Sequence, residues 1–263
     1  MAFYIWQKYK LASGLCFYSL LYSYNSMNKP ITLNLLRTEA HSCSYLDNLL
    51  AITEFVSPEH EVDLKTYQAI NDAGFRRSGQ HFYRPNCDSC SQCKPLRVLS
   101  KEFIPTKSQK RILRLNTNIE ISVQEKPDAD IYFDLYKSYI LERHQDGDMC
   151  PPDREQFDNF ICAAPGCTRF LEFRSNSNKL LMVAVCDFLP YGLSAIYSFF
   201  DPQEEQRSLG SYAILAQINI AKKMGLPYLF LGYWIEESPK MNYKSRFRPC
   251  EVLENGDWSP ICF

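Results

Sequence analysis

The second half of the chain carries the more regular pattern of apolar and polar positions. Asn118 to Gln124 alternates as a half-buried strand does. Residues 129–145 place Ile131, Leu135 and Tyr139 at helical spacing behind Asp128, which predicts a helix. Pro151 and Pro152 open a further predicted helix over 153–163. Three strands are predicted next, over 169–174, 179–188 and 193–200, joined by the turn sequences S-N-S-N and L-P-Y-G. A helix follows over 208–224, with Gly225 as its stop and Pro227 beyond it. The apolar run 228–234 predicts a buried strand, S-P-K-M-N-Y-K a short helix, and the remainder two weak strands.

The first half is less regular. Residues 63–73 predict a helix that stops at Gly74, and G-F-R-R-S-G then breaks the pattern. Residues 80–84 and 95–103 read as strands. Three cysteines lie between them, so a hairpin with thiols at its turn is expected. After Pro105, Ser108 is expected to cap a short basic helix, S-Q-K-R-I-L-R-L. There is no internal repeat or low-complexity tract. The resulting division is a small cysteine-containing N-terminal domain over 27–116 and a larger domain over 117–263. Residues 1–26 read as an extension outside the fold, with Met27 as the working start. Their apolar run, 11–22, is too short to span a bilayer, and no convincing cleavage site follows it.

Composition changes this picture in two respects. The formal net charge is -1 over 263 residues, so there is no global basic field and any contact with nucleic acid needs a local patch. One such run holds Lys94, Arg97, Lys101, Lys107, Lys110, Arg111 and Arg114 against the single acid Glu102. A second holds Lys240, Lys244, Arg246 and Arg248, interleaved with Tyr243 and Phe247. One run alone reads as a solvated face; two with aromatic neighbours point to RNA. The second respect is the count of 11 cysteines. Cys16, Cys162, Cys186 and Cys262 lack framework spacing, and an odd number suits a reducing cytoplasm better than an oxidising compartment.

Cys87, Cys90 and Cys93 are spaced so that their sulfurs can converge on one soft metal. Three thiols make an incomplete set. Cys43 is the natural fourth, with His41 or His81 as alternatives, and the centre would be zinc or an iron–sulfur cluster. The competing reading is that the thiols stay free. His144 and Asp146 read either as a proton-transfer pair or as residues that end a helix.

The predicted order in the second part is β-α-α-β-β-β-α-β-α-β, an α+β arrangement whose strand–helix–strand crossover gives a mixed sheet. That order resembles the GNAT acyltransferase topology, which implies an acyl donor and an amine acceptor. Where such enzymes hold a CoA pyrophosphate on small residues, this chain reads R-S-L-G-S-Y. Arg207 and Gly210 are in place, but the bulk of Tyr212 argues against CoA.

Longer strings carry a closer resemblance. They are C-S-Y-L at 43–46, G-F-R-R-S-G at 74–79, Y-R-P-x-C-x2-C-x2-C-x-P-L-R-V at 83–98 and S-Q-K-R at 108–111. In the second half they are S-F-F-D-P from 198, S-L-G-S-Y-A-I-L at 208–215 and L-G-Y-W-I-x2-S-x-K-M-x-Y-K at 231–244. From about residue 31 onward the chain resembles the aminoacyl-tRNA–protein transferases. Among these it resembles the bacterial aspartate/glutamate leucyltransferase branch, relatives of the eukaryotic arginyltransferases. The resemblance implies transfer of leucine from leucyl-tRNA to the α-amino group of proteins beginning with Asp or Glu, which marks them for N-degron degradation. The competing readings are arginine transfer from arginyl-tRNA, a CoA-dependent N-acetyltransferase, and an RNA-binding zinc knuckle without catalysis.

With that activity in view, the chemistry requires no covalent nucleophile and no cofactor. Ser208, Tyr212 and Lys240 are the candidate catalytic residues, with backbone donors at the helix start near Ser208. Arg76 or Arg77, beside Ser78, is the expected fork for the acceptor's carboxylate, with Lys240 and Lys244 behind it. Trp234, with Phe199 and Phe200, would line a slot for the leucyl side chain, near Tyr243. Lys110 and Arg111 belong to the surface expected to hold the tRNA acceptor arm. Cys43, Cys87, Cys90 and Cys93 would be a structural clip.

Overall fold

The structure is a computed structural model that describes residues 19–22 and 31–261. The expected extension over 1–26 otherwise lies outside the described residues. In chain order the elements begin with β1 (Ser19–Tyr22), β2 (Ile31–Arg37), β3 (His41–Ser42), β4 (Leu50–Ala51), β5 (Thr53–Val56), α1 (Leu64–Asp72), β6 (Arg76–Ser78), β7 (His81–Pro85) and β8 (Lys94–Leu99). They continue with α2 (Lys107–Leu115), β9 (Ile119–Gln124), α3 (Ala129–Arg143), α4 (Arg154–Phe157), β10 (Thr168–Ser175), β11 (Leu180–Leu189) and β12 (Gly192–Phe200). Last come α5 (Leu209–Lys223), β13 (Tyr228–Trp234), β14 (Cys250–Glu254) and β15 (Asp257–Pro260). The chain divides into two compact units. One takes in the chain up to Arg97 with Leu231–Arg246 and the segment from Cys250; the other is Val98–Phe230 with Phe247–Pro249.

In the first unit the strand order of the sheet is β1-β2-β5-β7-β6. Its interior is built from Leu33, Leu35, Phe55, Ile70 and Phe75, with the Tyr67 ring edge-on to Phe82 at 4.7 Å. Asp63 caps α1 by accepting from the Thr66 amide, as Asp before an apolar-periodic run should. The expected hairpin of β7 with β8 does not form. β7 is an interior strand, paired with β5 on one side and β6 on the other, so no free edge remains for β8. The G-F-R-R-S-G segment, expected to be irregular, supplies β6, with Arg76 opposite Tyr83 and Arg77 opposite Phe82.

In the second unit β9 to β12 form an antiparallel meander, and α5 carries the chain from β12 to β13 in parallel. This is the mixed sheet that the order of predicted elements implied. α3 and α5 pack on β12. The core gathers Tyr132, Tyr136 and Ile140 of α3 with Phe157, Phe170, Val183, Val185 and Phe199. The buried face of α3 is therefore one residue on from the expected Ile131–Leu135–Tyr139 stripe, and Ile131 is exposed. The helix is apolar around most of its circumference. The face that wins is the one whose Tyr132 hydroxyl reaches the buried Glu172 carboxylate at 2.8 Å. The expected helix over 153–163 is a single α-turn followed by a π-type turn, Asp158–Cys162.

Helix α2 starts one turn-position earlier than expected. Thr106, not Ser108, is its cap, because Thr106 and Gln109 form a reciprocal capping box. Gln109 is buried, Ile112 and Leu113 are half-buried and Asn116 is buried, so one stripe faces inward. Lys107, Lys110, Arg111 and Arg114 have the same i, i+3, i+4, i+7 spacing on the opposite face and are all exposed. Like charges at these spacings cost roughly 0.2–0.5 kcal/mol per pair. The helix has no acid in its first turn to offset them. Among the described residues no helix is long and apolar enough to cross a membrane.

Candidate active site

The residues of interest fall in both units, and each set is described within its own unit. In the first unit, Arg76 and Arg77 are consecutive on β6, so their side chains leave opposite faces of the strand. Arg77 donates to the Gly79 carbonyl at 2.6 Å. Arg76 runs alongside Gly232, where a Cβ would lie 3.2 Å from its Nε. It is also the electrostatic neighbour of Tyr83, Tyr233 and Lys244. Ser78 is buried opposite His81.

Lys244 lies on a 3-10 turn, Asn242–Arg246, that follows β13. It is 7% exposed, and Nζ donates to the Tyr233 carbonyl at 2.5 Å and approaches the Met241 sulfur. Burial first, and the Arg76 charge second, bring its ammonium down to about 7, while Cys93 opposes the shift. The Tyr233 hydroxyl donates toward the Gly74 and Tyr83 carbonyls at 2.9 and 3.2 Å. Burial raises the phenols of Tyr83 and Tyr233 above their ordinary range, so both stay neutral donors. The site thus holds one permanent buried cation, Arg76, one lysine that is only partly charged near pH 7, and two phenols within one unit, a donor set that suits a carboxylate.

Gly232 makes this arrangement possible. Its φ of +76° is a conformation that other residues adopt at a cost of about 1–2 kcal/mol. Gly232→Ala adds that strain and pushes a methyl against the Arg76 guanidinium. Its expected outcome is a lower melting midpoint together with a loss of transfer activity larger than the stability change explains. Parallel melting and transfer assays check this.

The other candidates of this unit are spread around the turn. Lys240 is exposed and Tyr243 lies at the surface. Trp234 is buried, donates Nε1 to the Asn242 carbonyl at 3.2 Å and has the Lys94 ammonium over its ring at 5.8 Å.

Cys43, Cys87, Cys90 and Cys93 line one cavity of about 80 Å³, with Tyr45, Tyr83 and Tyr233 and an apolar rim that includes Leu46, Leu49 and Leu50. Cys87 and Cys90 face each other across an isolated backbone bridge, and the Ile52 amide donates to the Cys87 sulfur at 3.4 Å. Burial, then the proximity of Cys43, Cys87 and Cys90, pushes the Cys93 thiol up to about 12. Among the described residues no three His, Cys, Asp or Glu side chains are gathered as a metal ligand set.

In the second unit, Ser208 opens α5 from a left-handed conformation, φ +52°, and its side chain makes no capping bond. Tyr212 is turned inward, with its hydroxyl 3.4 Å from the Asn116 carbonyl and its ring edge-on to Phe173. Arg207 is held by Glu204, Asn118 and the Leu115 carbonyl. A Cβ at Gly210 would meet the Phe200 ring at 3.5 Å. Phe199 does not line a slot. It is fully buried and packs edge-on to Tyr132, Tyr136 and Phe157 in the core. Phe200 packs on Tyr139. His144 ends α3 and pairs with the Tyr139 hydroxyl at 2.9 Å, the helix-ending alternative of its two readings. Lys110 and Arg111 are on the exposed stripe of α2.

The pattern described as Arginine-tRNA-protein transferase, N terminus, matches residues 41–111, and that described as Arginine-tRNA-protein transferase, C terminus, matches 131–254. The chain belongs to the arginine-tRNA-protein transferase family. Within it, the chain is 48% identical over 235 residues to the "Aspartate/glutamate leucyltransferase" of Teredinibacter turnerae, covering 89% of this chain and 97% of that protein. It is 48% identical to the protein of the same name from Saccharophagus degradans over 86% of this chain and 96% of that one. A likeness to the solved C-terminal domain of a putative lysylphosphatidylglycerol synthetase from Agrobacterium fabrum has a TM-score of 0.46 at 12% identity, over 73% of this chain and 62% of that one. The N-terminal family match includes the four thiols, Arg76 and most of α2. The C-terminal match includes Ser208, Tyr212 and Lys244.

Two signals for the site were present in the sequence and went unread. Gly232, inside an otherwise apolar strand, marks a close backbone approach. Tyr83 and Tyr233 sit in the two longest strings of the family resemblance but carry no charge to draw attention.

Proposed function

We propose that this chain transfers leucine from leucyl-tRNA to the α-amino group of proteins beginning with Asp or Glu, so marking them for N-degron degradation in the cytoplasm. The observation that carries this is near full-length identity of 48% to relatives that bear that name. The reaction is the aminolysis of an ester. The neutral α-amine attacks the leucyl carbonyl, the C–N bond forms, the bond to the ribose oxygen breaks, and the proton lost by nitrogen goes to that oxygen. An α-amine with an unperturbed pKa near 8 is partly neutral at pH 7, so positioning supplies most of the rate.

Arg76 is the fork for the acceptor's acidic side chain, with the Lys244 ammonium and the Tyr83 and Tyr233 phenols beside it. Arg77, drawn back to Gly79, supports the strand. In the second unit, the meander and the parallel crossover support a GNAT-like acyltransferase fold. The first turn of α5, at Ser208, presents backbone donors to the acyl carbonyl. Tyr212 acts there through its position, since its hydroxyl is engaged inside. Lys240 is the proposed proton carrier, on the grounds of its exposure near the Lys244 turn. The four thiols are the proposed place for a zinc or iron–sulfur centre that clips the cysteine-containing part of the chain and takes no part in the transfer. Their sulfur donors and shared cavity support that reading.

A single experiment separates the competing readings. The protein is incubated with a peptide beginning with Asp and, in separate reactions, leucyl-tRNA, arginyl-tRNA or acetyl-CoA. Mass spectrometry should find one added leucine and nothing from the other donors. Arginine addition alone, or acetylation, would reject the proposal.

A further inference from the structure

We infer that the cationic stripe of α2, with the last turn of α5 beside it, is the surface that takes the phosphate backbone of the aminoacyl-tRNA. The inference rests on the tRNA-dependent reading above and adds where the RNA is held.

The basic run of the sequence does not act as one patch. Lys94 pairs with Glu254 at 2.5 Å, and Arg97 pairs with Glu251 at 2.7 Å while lying over the Trp258 ring. Both are neutralised by the C-terminal hairpin of their own unit. In the second unit Lys107, Lys110, Arg111 and Arg114 are exposed on a single face of α2, and among the described residues none of the four is in a salt bridge. The span from Lys107 to Arg114 is about 10 Å at the helical rise of 1.5 Å per residue. A nucleic-acid strand presents a phosphate about every 3.4 Å along its axis, so the stripe faces roughly three of them per strand.

The local energetics point the same way. Four like charges at i, i+3 and i+4, one of them at the positive end of the helix dipole, work against the helix that carries them. Its capping box and buried Gln109–Asn116 stripe hold it in place all the same. Natural chains tend to break such local rules at surfaces they use and to offset the cost elsewhere, as the capping box and buried stripe do here. α2 packs against α5, and Lys222 in the last turn of α5 reaches the Phe103 carbonyl at 3.5 Å. That contact sets Lys222 and the exposed Lys223 beside the loop that leads into α2. These contacts are to phosphate, so the surface is read by any tRNA of A-form acceptor stem and carries no sequence preference.

The test uses the full chain and deacylated leucine-accepting tRNA as the probe. Affinity is measured across a salt series for the wild type and for the combined Lys107→Ala, Lys110→Ala, Arg111→Ala and Arg114→Ala variant. Each lost phosphate contact lowers the log–log salt slope by about 0.9, so the variant should lose roughly 3–4 units of slope and at least about tenfold in affinity at low salt. KM for leucyl-tRNA should rise with kcat at saturation held, and alanine should hold or raise the melting midpoint, since it removes the like-charge pairs. A Lys110→Gln, Arg111→Gln pair, with a loss of about 2 units, serves if the fourfold variant does not fold. An unchanged slope and affinity in a folded variant overturns the inference and leaves the proposed reaction standing. Absence of leucine transfer by the wild type, with tRNA still bound through this stripe, rejects the reaction and leaves the surface standing.

Discussion

Arg76→Ala is expected to lower kcat/KM for a peptide beginning with Asp by roughly thirty- to several-thousand-fold, the effect of removing about 2–5 kcal/mol of buried charge-assisted hydrogen bonding. Arg76 is 7% exposed, is held between β6 and Gly232, and has Lys244, Tyr83 and Tyr233 as neighbours. In its proposed role the guanidinium would meet the acceptor's carboxylate bidentately, and a lone Lys244 would not replace that fork. Arg76→Lys should therefore recover only part of the loss. Binding of tRNA should be unchanged in both variants, since its proposed surface is α2. Steady-state transfer assays with Asp-, Glu- and Ala-initiated peptides decide the matter. If Arg76→Ala transfers to the Asp peptide as well as the wild type, Arg76 does not read the acceptor.

The largest stability effect is expected at Phe199. Replacing a fully buried ring with alanine typically costs about 3–5 kcal/mol, the lost transfer energy plus an unfilled cavity. Phe199 meets Tyr132 at 6.4 Å, Tyr136 at 5.7 Å and Phe157 at 6.2 Å, so the cavity would open at the junction of α3, α4 and β12. Phe199→Ala should therefore lower the melting midpoint by roughly 10 °C. Phe199→Leu, which keeps most of the volume, should fold and keep its preference for leucyl-tRNA over other charged tRNAs. A change of donor preference in that milder variant would return Phe199 to the leucyl slot that its sequence neighbourhood suggested.

These residues also mark how far the sequence could be read. Where a signal is local it survived folding. Asp63 and Asp128 cap the helices they precede, and the turns S-N-S-N and L-P-Y-G join the meander strands. The strand–helix–strand crossover onto β13 was legible because a long helix between two apolar runs leaves few other topologies. Ser108 lost the cap of α2 to Thr106 for a reason that was equally local, the T-x-x-Q pair, and so was open to a closer reading. The face of α3 was not legible. Apolar residues surround that helix, and only a partner on β10, the Glu172 carboxylate, selects the Tyr132 side.

The sequence by itself determined the family, through long strings that no composition argument could supply. It determined the meander and crossover of the second unit through periodicity, caps and turn residues, which act over a few positions. It also determined that, at a net charge of -1, any contact with nucleic acid needs a local basic surface. Tertiary structure decided the rest, because the deciding partners are distant in the chain. Lys94 and Arg97 leave the basic run only when the hairpin carrying Glu251 and Glu254 folds back, across a separation of 154 residues for the Arg97 pair. Arg76, and not Arg77, comes to lie beside Gly232 and Lys244 only when β13 and the turn after it pack on one face of β6. Neighbouring residues on a strand point opposite ways, and only packing says which way faces the site.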